Sequence, residues 1–151
     1  MMAFKFQLQS VLDIKIKELE EAEIVERTIR NEITVREQKV NDLRDAYLLD
    51  RDQLNDAVRQ AQLQQVKLYE VSLEDKKFKI MEILRMLAQL RELLQHAKQR
   101  TLSLRKKTKG LERIKDKRLA EHESRAERRL QQEIDSRSAM QTWSRNNRER
   151  A

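Results

Sequence analysis

The chain has no cysteine, no proline and one glycine, Gly110, and aromatic residues make up only 4% of its 151 positions. Each scarcity excludes something. Without cysteine there is no disulfide, which suits a reducing compartment. Turns lean on Gly, Pro and Asn, so a chain nearly free of the first two can seldom reverse direction, and a many-stranded fold is excluded. No apolar run approaches the ~20 residues that span a bilayer. The opening MMAFKFQLQSVLDIKIKE lacks the basic start, continuous apolar stretch and small-residue cleavage site of a signal peptide. The expectation is a cytoplasmic chain, peripheral to a membrane at most.

What is abundant is charge and helix formers. Asp, Glu, Lys and Arg make up 39% of the chain, and Leu, Ala, Gln and Glu fill much of the rest. Together with helical periodicity this is the profile of a coiled coil or long helix. Leu, Ile and Val recur on schedule, which argues against disorder. The net charge of +7 is unevenly placed: −3 over residues 1–50, +1 over 51–95 and +9 over 96–151. The C-terminal third is therefore suited to an acidic partner.

Taking every seventh residue from Leu12 gives Leu12, Leu19, Glu26, Ile33, Val40, Tyr47, Leu54, Ala61 and Leu68. Eight of these nine are apolar. The row three positions on, from Lys15 through Ala22 and Ile29 to Val71, is weaker. A seven-residue period held this long presents one seam to a neighbouring helix. The second half repeats it, with Leu73, Ile80, Leu87 and Leu94 in one row and Ile83, Leu90, Ala97, Leu104 and Leu111 in the other. Residues 80–94 are more apolar than one seam needs, with Met81 and Met86 read as core filler. Past Gly110 the spacing shifts, and Gly110 is expected to mark a bend.

One helix of such length would extend roughly 200 Å and would need a partner chain throughout. A hairpin of two helices burying each other's stripes is the economical alternative. The fold class expected is all-α: a long antiparallel two-helix coiled-coil hairpin forming a single elongated domain over residues 1–151. Candidate turns lie in the polar stretches 50–56 and 72–76. The favoured break is at 55–62, with a first arm over 4–55 and a second over 63–145. A parallel dimeric rod, acting as a scaffold or tether, is the competing architecture.

Chemistry has little foothold. The carboxylates follow helix-surface spacing, as in Glu32/Arg36, and a rod offers no cleft to perturb them. His96 and His122 stand 26 residues apart with no cysteine nearby, a poor metal set. No catalytic residue, metal or cofactor is expected. Between Lys98 and Arg118 ten Lys/Arg face only Glu112 and Asp116. This stretch is a solvated face, a protein contact or a nucleic-acid contact. No aromatic other than Phe78 lies between Tyr69 and Trp143 to interleave it for base stacking, so specific nucleic-acid binding is not expected, although nonspecific affinity at low salt is. Trp143 is either a locally packed helix-end residue or a partner anchor.

The N-terminal segment Phe4-Lys-Phe-Gln-Leu-Gln-Ser-Val-Leu-Asp-Ile-Lys15 resembles the opening of the flagellar export protein FliJ family. Tyr69, Leu73 and Ile80 are similar to a Tyr/Leu/Ile pattern of that family. Lys109-Gly-Leu-Glu-Arg-Ile-Lys-Asp-Lys-Arg118 resembles its basic segment, and Gln132-Glu-Ile-Asp135 its C-terminal end, with Ser136 in place of the final Glu. The resemblance implies a helical hairpin similar to the central stalk of rotary ATPases. It also implies a soluble, non-enzymatic part of a type III export apparatus, flagellar or of the related injectisome kind. The partners implied are the export ATPase ring, the export gate's membrane protein and free export chaperones, and the protein itself would be a monomeric hairpin. The candidate partner-contact residues are Lys106, Lys107, Lys109, Lys115, Arg118, Tyr69, Leu73, Ile80 and Trp143.

Overall fold

The computed structural model describes residues 3–151. It holds two helices, α1 over Gln9–Arg59 and α2 over Leu63–Arg150, of 51 and 88 residues. The described residues contain no strand. By its contacts the chain divides into two units. One is Glu18–Leu104; the other combines the residues up to Lys17 with Arg105–Ala151.

The Glu18–Leu104 unit is an antiparallel helical hairpin. Along α1 its inward positions alternate by four and three residues: Leu19, Ala22, Glu26, Ile29, Ile33, Arg36, Val40, Leu43, Tyr47, Asp50, Leu54 and Ala57 are all buried or half-buried. This is the seam that the seven-residue period predicts. Along α2 the same alternation starts at Val66 and Tyr69 and runs through Leu73, Lys76, Ile80, Ile83, Leu87, Leu90, Leu94 and Ala97 to Thr101 and Leu104. Ile33, Val40 and Leu87 form the core, with Ile29, Ile80, Ile83, Leu90 and Leu94 packed onto it. Leu87 is the most enclosed side chain, 1% exposed. Burying a residue of this kind contributes about 1.5–3 kcal/mol.

The turn needs neither glycine nor proline. Ala61 takes up the left-handed conformation at φ 53°. The Gln62 amide donates to the Ala57 carbonyl at 3.0 Å, and the Ala61 amide to the Val58 carbonyl at 3.2 Å. That pair of bonds is the Schellman helix ending, in which a left-handed residue closes the last orphan carbonyls. The Gln62 carbonyl then accepts the Val66 amide at 3.0 Å, opening α2.

Three expectations are corrected here. The row from Leu12 does not extend through Ala61 and Leu68: the helix has ended, Ala61 is in the turn and Leu68 is 70% exposed. The α2 seam starts instead from Val66, because reversing the chain resets the register. Met81 and Met86 are not core filler; both lie about half exposed outside the seam. Gly110 makes no bend, since α2 passes through it unbroken. A cost near 1 kcal/mol relative to Ala is too small to end a helix that continues on both sides.

In the other unit, residues 3–6 precede α1 as irregular chain, and Phe6 is buried. On α2 the inward positions are Thr108, Leu111, Lys115, Leu119, His122 and Ala126. The steps from Thr108 to Leu119 are three, four and four, an eleven-residue repeat in place of seven. Such an insertion locally unwinds a left-handed coil, and it is the physical content of the shifted spacing past Gly110.

Candidate partner-binding surfaces

Polar residues interrupt the hairpin seam, and they are matched across it. Asp50 on α1 accepts hydrogen bonds from the Ser72 hydroxyl at 2.6 Å and from the Lys76 ammonium, and Lys76 also donates to Ser72 at 3.1 Å. The Lys76 ammonium, and after it the Ser72 hydroxyl, hold the Asp50 carboxyl below its ordinary range against the opposing effect of burial. Glu26 is likewise lowered, chiefly by Arg30, with burial opposing and Thr101 and Lys98 adding to it. Arg91 reaches Glu37 across the hairpin at 3.1 Å. The exposed pairs add little stability. The seam-facing Asp50 cluster matters more, because polar groups at seam positions specify register and orientation.

Within the unit that contains the N-terminal residues, the two phenylalanines dock on α2. The Arg118 guanidinium lies over the Phe6 ring at 5.7 Å. Phe4 meets His122 edge-on at 5.6 Å between ring centroids. Ala3, His122, Ala126 and Leu130, with Arg125, Arg129 and Glu133, line a shallow groove of about 600 Å3 beside this contact. Ala126 is the last half-buried residue; from Glu127 onward every residue of α2 is exposed. Leu130, Ile134, Met140 and Trp143 are 48% to 73% exposed. This uncovered end is also unusual in its cations: residues 127–151 hold six Arg and no Lys. Arg is enriched and Lys depleted at protein interfaces.

The nine candidate contact residues fall into distinct places. Lys106, Lys107 and Lys109 are exposed and make no ion pair among the described residues. Lys115 is half-buried on the inward side of α2, and Arg118 is engaged by Phe6. Tyr69, Leu73 and Ile80 are half-buried seam positions, with Ile80 packed on the core. Their apolar character is accounted for inside the hairpin. Trp143 stands 68% exposed on the uncovered end.

Sequence reasoning missed the Asp50–Ser72–Lys76 cluster, although the signal was present. Asp50 falls in the second heptad row of α1, and a seam-position acid calls for a partner on the facing helix. It also missed a second groove, of about 690 Å3, on one side of the hairpin. Leu43, Ile83, Val35 and Met86 are its apolar lining, and Glu32, Arg36, Lys39, Lys79 and Glu82 its charged one. Among the described residues no group of three or more His, Cys, Asp or Glu could hold a metal ion. No helix there is long and apolar enough to cross a membrane.

Fold and surfaces together define a class, the helical hairpin with a cationic, partly uncovered second helix. Set beside known proteins, the chain matches no family model, no curated relative and no solved structure.

Proposed function

We infer that the chain is a stalk-type protein of a bacterial type III export apparatus. It binds a ring-forming export ATPase, promotes ring assembly, and links the ring to the export gate's membrane protein and to export chaperones at the cytoplasmic face of the membrane. The observation that carries this reading is the exposed cationic stretch of α2. Lys106, Lys107 and Lys109 project without ion-pair partners among the described residues, a few turns before the helix loses all cover at Glu127. A shaft that enters a ring needs an uncovered helical end and charges that steer the encounter. Such charges act on association rate and orientation more than on affinity. The N-terminal resemblance and the antiparallel hairpin of Glu18–Leu104 support the same reading.

The test is direct binding of the purified chain to a rotary-type export ATPase, with hexamer formation followed by mass and by ATP turnover. The chain is expected to bind and to raise the hexamer fraction. Reversal of Lys106, Lys107 and Lys109 to Glu is expected to slow association about tenfold or more at low salt. An ATPase whose assembly is indifferent to the chain would rule the stalk out. Unchanged binding by the triple variant would reduce the patch to a solvated face.

A further inference from the structure

We propose that the groove beside the seam of the Glu18–Leu104 hairpin is a self-association surface, on which a second copy of this chain packs about a two-fold axis. Leu43 and Ile83 are half-buried there, but Val35 is 65% exposed and Met86 48% exposed. Leu43 and Ile83 belong to the seam, whereas Val35 and Met86 lie outside what the hairpin itself covers. The charges on the groove decide the occupant. Glu32 pairs with Arg36, and Lys79 with Asp75 at 2.9 Å. Lys39 and Glu82 are exposed and have no ion-pair partner among the described residues.

One unpaired cation and one unpaired anion on the same groove are complementary to a surface that carries both signs there. A partner of a single sign would neutralise one and repel the other. In a two-fold contact residue i meets j and j meets i, so a second copy sets Lys39 against the other copy's Glu82 and Glu82 against its Lys39. One geometry satisfies both charges and covers Val35 and Met86. The product is a four-helix arrangement of two hairpins, a packing that buries such stripes efficiently. The contact is modest in apolar area, so association is reversible and concentration-dependent. The monomer expected from the sequence is then the dilute form. This inference does not rest on the stalk reading.

The experiment is sedimentation equilibrium of the full chain at low salt, where surface charges are least screened. The wild type is expected to form dimers as concentration rises. Lys39→Glu alone and Glu82→Lys alone each set like charges together twice per dimer, and each is expected to weaken association about tenfold or more. An equimolar mixture of these two variants restores opposite charges at both contacts and is expected to dimerise like the wild type, as is the double variant K39E/E82K. Both positions are exposed helix surface, so each variant is expected to remain helical, which circular dichroism checks. A chain that stays monomeric at every concentration overturns the proposal. So does a dimer indifferent to the single reversals, or a mixture that associates no better than either variant alone.

Discussion

Asp50 and Ser72 are 22 residues apart in sequence, on opposite helices, yet the Ser72 hydroxyl donates to the Asp50 carboxylate at 2.6 Å. With Lys76 on the same oxygen, the pair ties the seam at one register near the turn. Slipping either helix by a heptad would leave a half-buried carboxylate facing an apolar neighbour. The cluster therefore acts against wrong pairings as much as for the right one.

Removing one member strands the others. Asp50→Ala is expected to cost about 1–3 kcal/mol in urea unfolding, because Lys76 loses the acceptor that compensates its partial burial. The triple replacement Asp50→Leu, Ser72→Ala, Lys76→Leu should recover that loss or exceed the wild-type stability, while loosening the specificity of register. Unfolding midpoints that do not separate the single variant from the wild type would contradict a seam role for Asp50.

The pH dependence follows from the same group. Asp50 and Glu26 both have carboxyl pKa values lowered in the folded chain. For a lowered pKa, the stabilisation is fully present above the unfolded-state value and is lost as pH falls through the folded one. Stability should therefore hold from neutral pH down to the ordinary carboxylate range and then decline with acid. Asp50→Asn should flatten part of that acid limb. An acid limb of unchanged steepness in the variant would mean that another carboxyl is responsible.

Two backbone positions carry opposite residues to those that a designer would choose. Gly110 lies within a continuous helix, and an added Cβ meets nothing within 4 Å. Ala61 occupies the left-handed region in the turn. Gly110→Ala is expected to raise stability by about 0.5–1 kcal/mol. Ala61→Gly is expected to raise it by up to about 1 kcal/mol, since only glycine takes positive φ without the Cβ clash. Thermal unfolding of both variants tests this; a drop at Gly110→Ala would show that the glycine has a role beyond the helix.

How much of this was legible beforehand differs by element. The α1 seam was readable from Leu12 to Ala57, because a seven-residue period is a local property of one helix and survives wherever that helix continues. Its extension to Ala61 and Leu68 failed for the same reason: periodicity does not announce where a chain reverses. At Gln60–Gln62 the reversal is made by Ala61 adopting a conformation that its residue type does not advertise. Met81 and Met86 were misplaced because composition records how apolar a stretch is, not which face of it meets the neighbouring helix.

The candidate surfaces divide in the same way. The cationic stretch was visible as charge, since charge needs no partner to be counted. What became of each cation was not: Arg118 lies over the Phe6 ring while Lys106, Lys107 and Lys109 remain exposed. By itself the sequence determined an all-helical chain, one seam on each helix and a basic C-terminal third, all consequences of residue type and spacing along a single helix. Only the tertiary structure decided the α2 register, the meeting of Asp50 with Ser72 and Lys76, the two unpaired charges on the apolar groove and the point at which α2 loses its cover. Each of these depends on which residue of one helix lies opposite which residue of the other, and that alignment is fixed by the turn and by packing between positions distant in the chain.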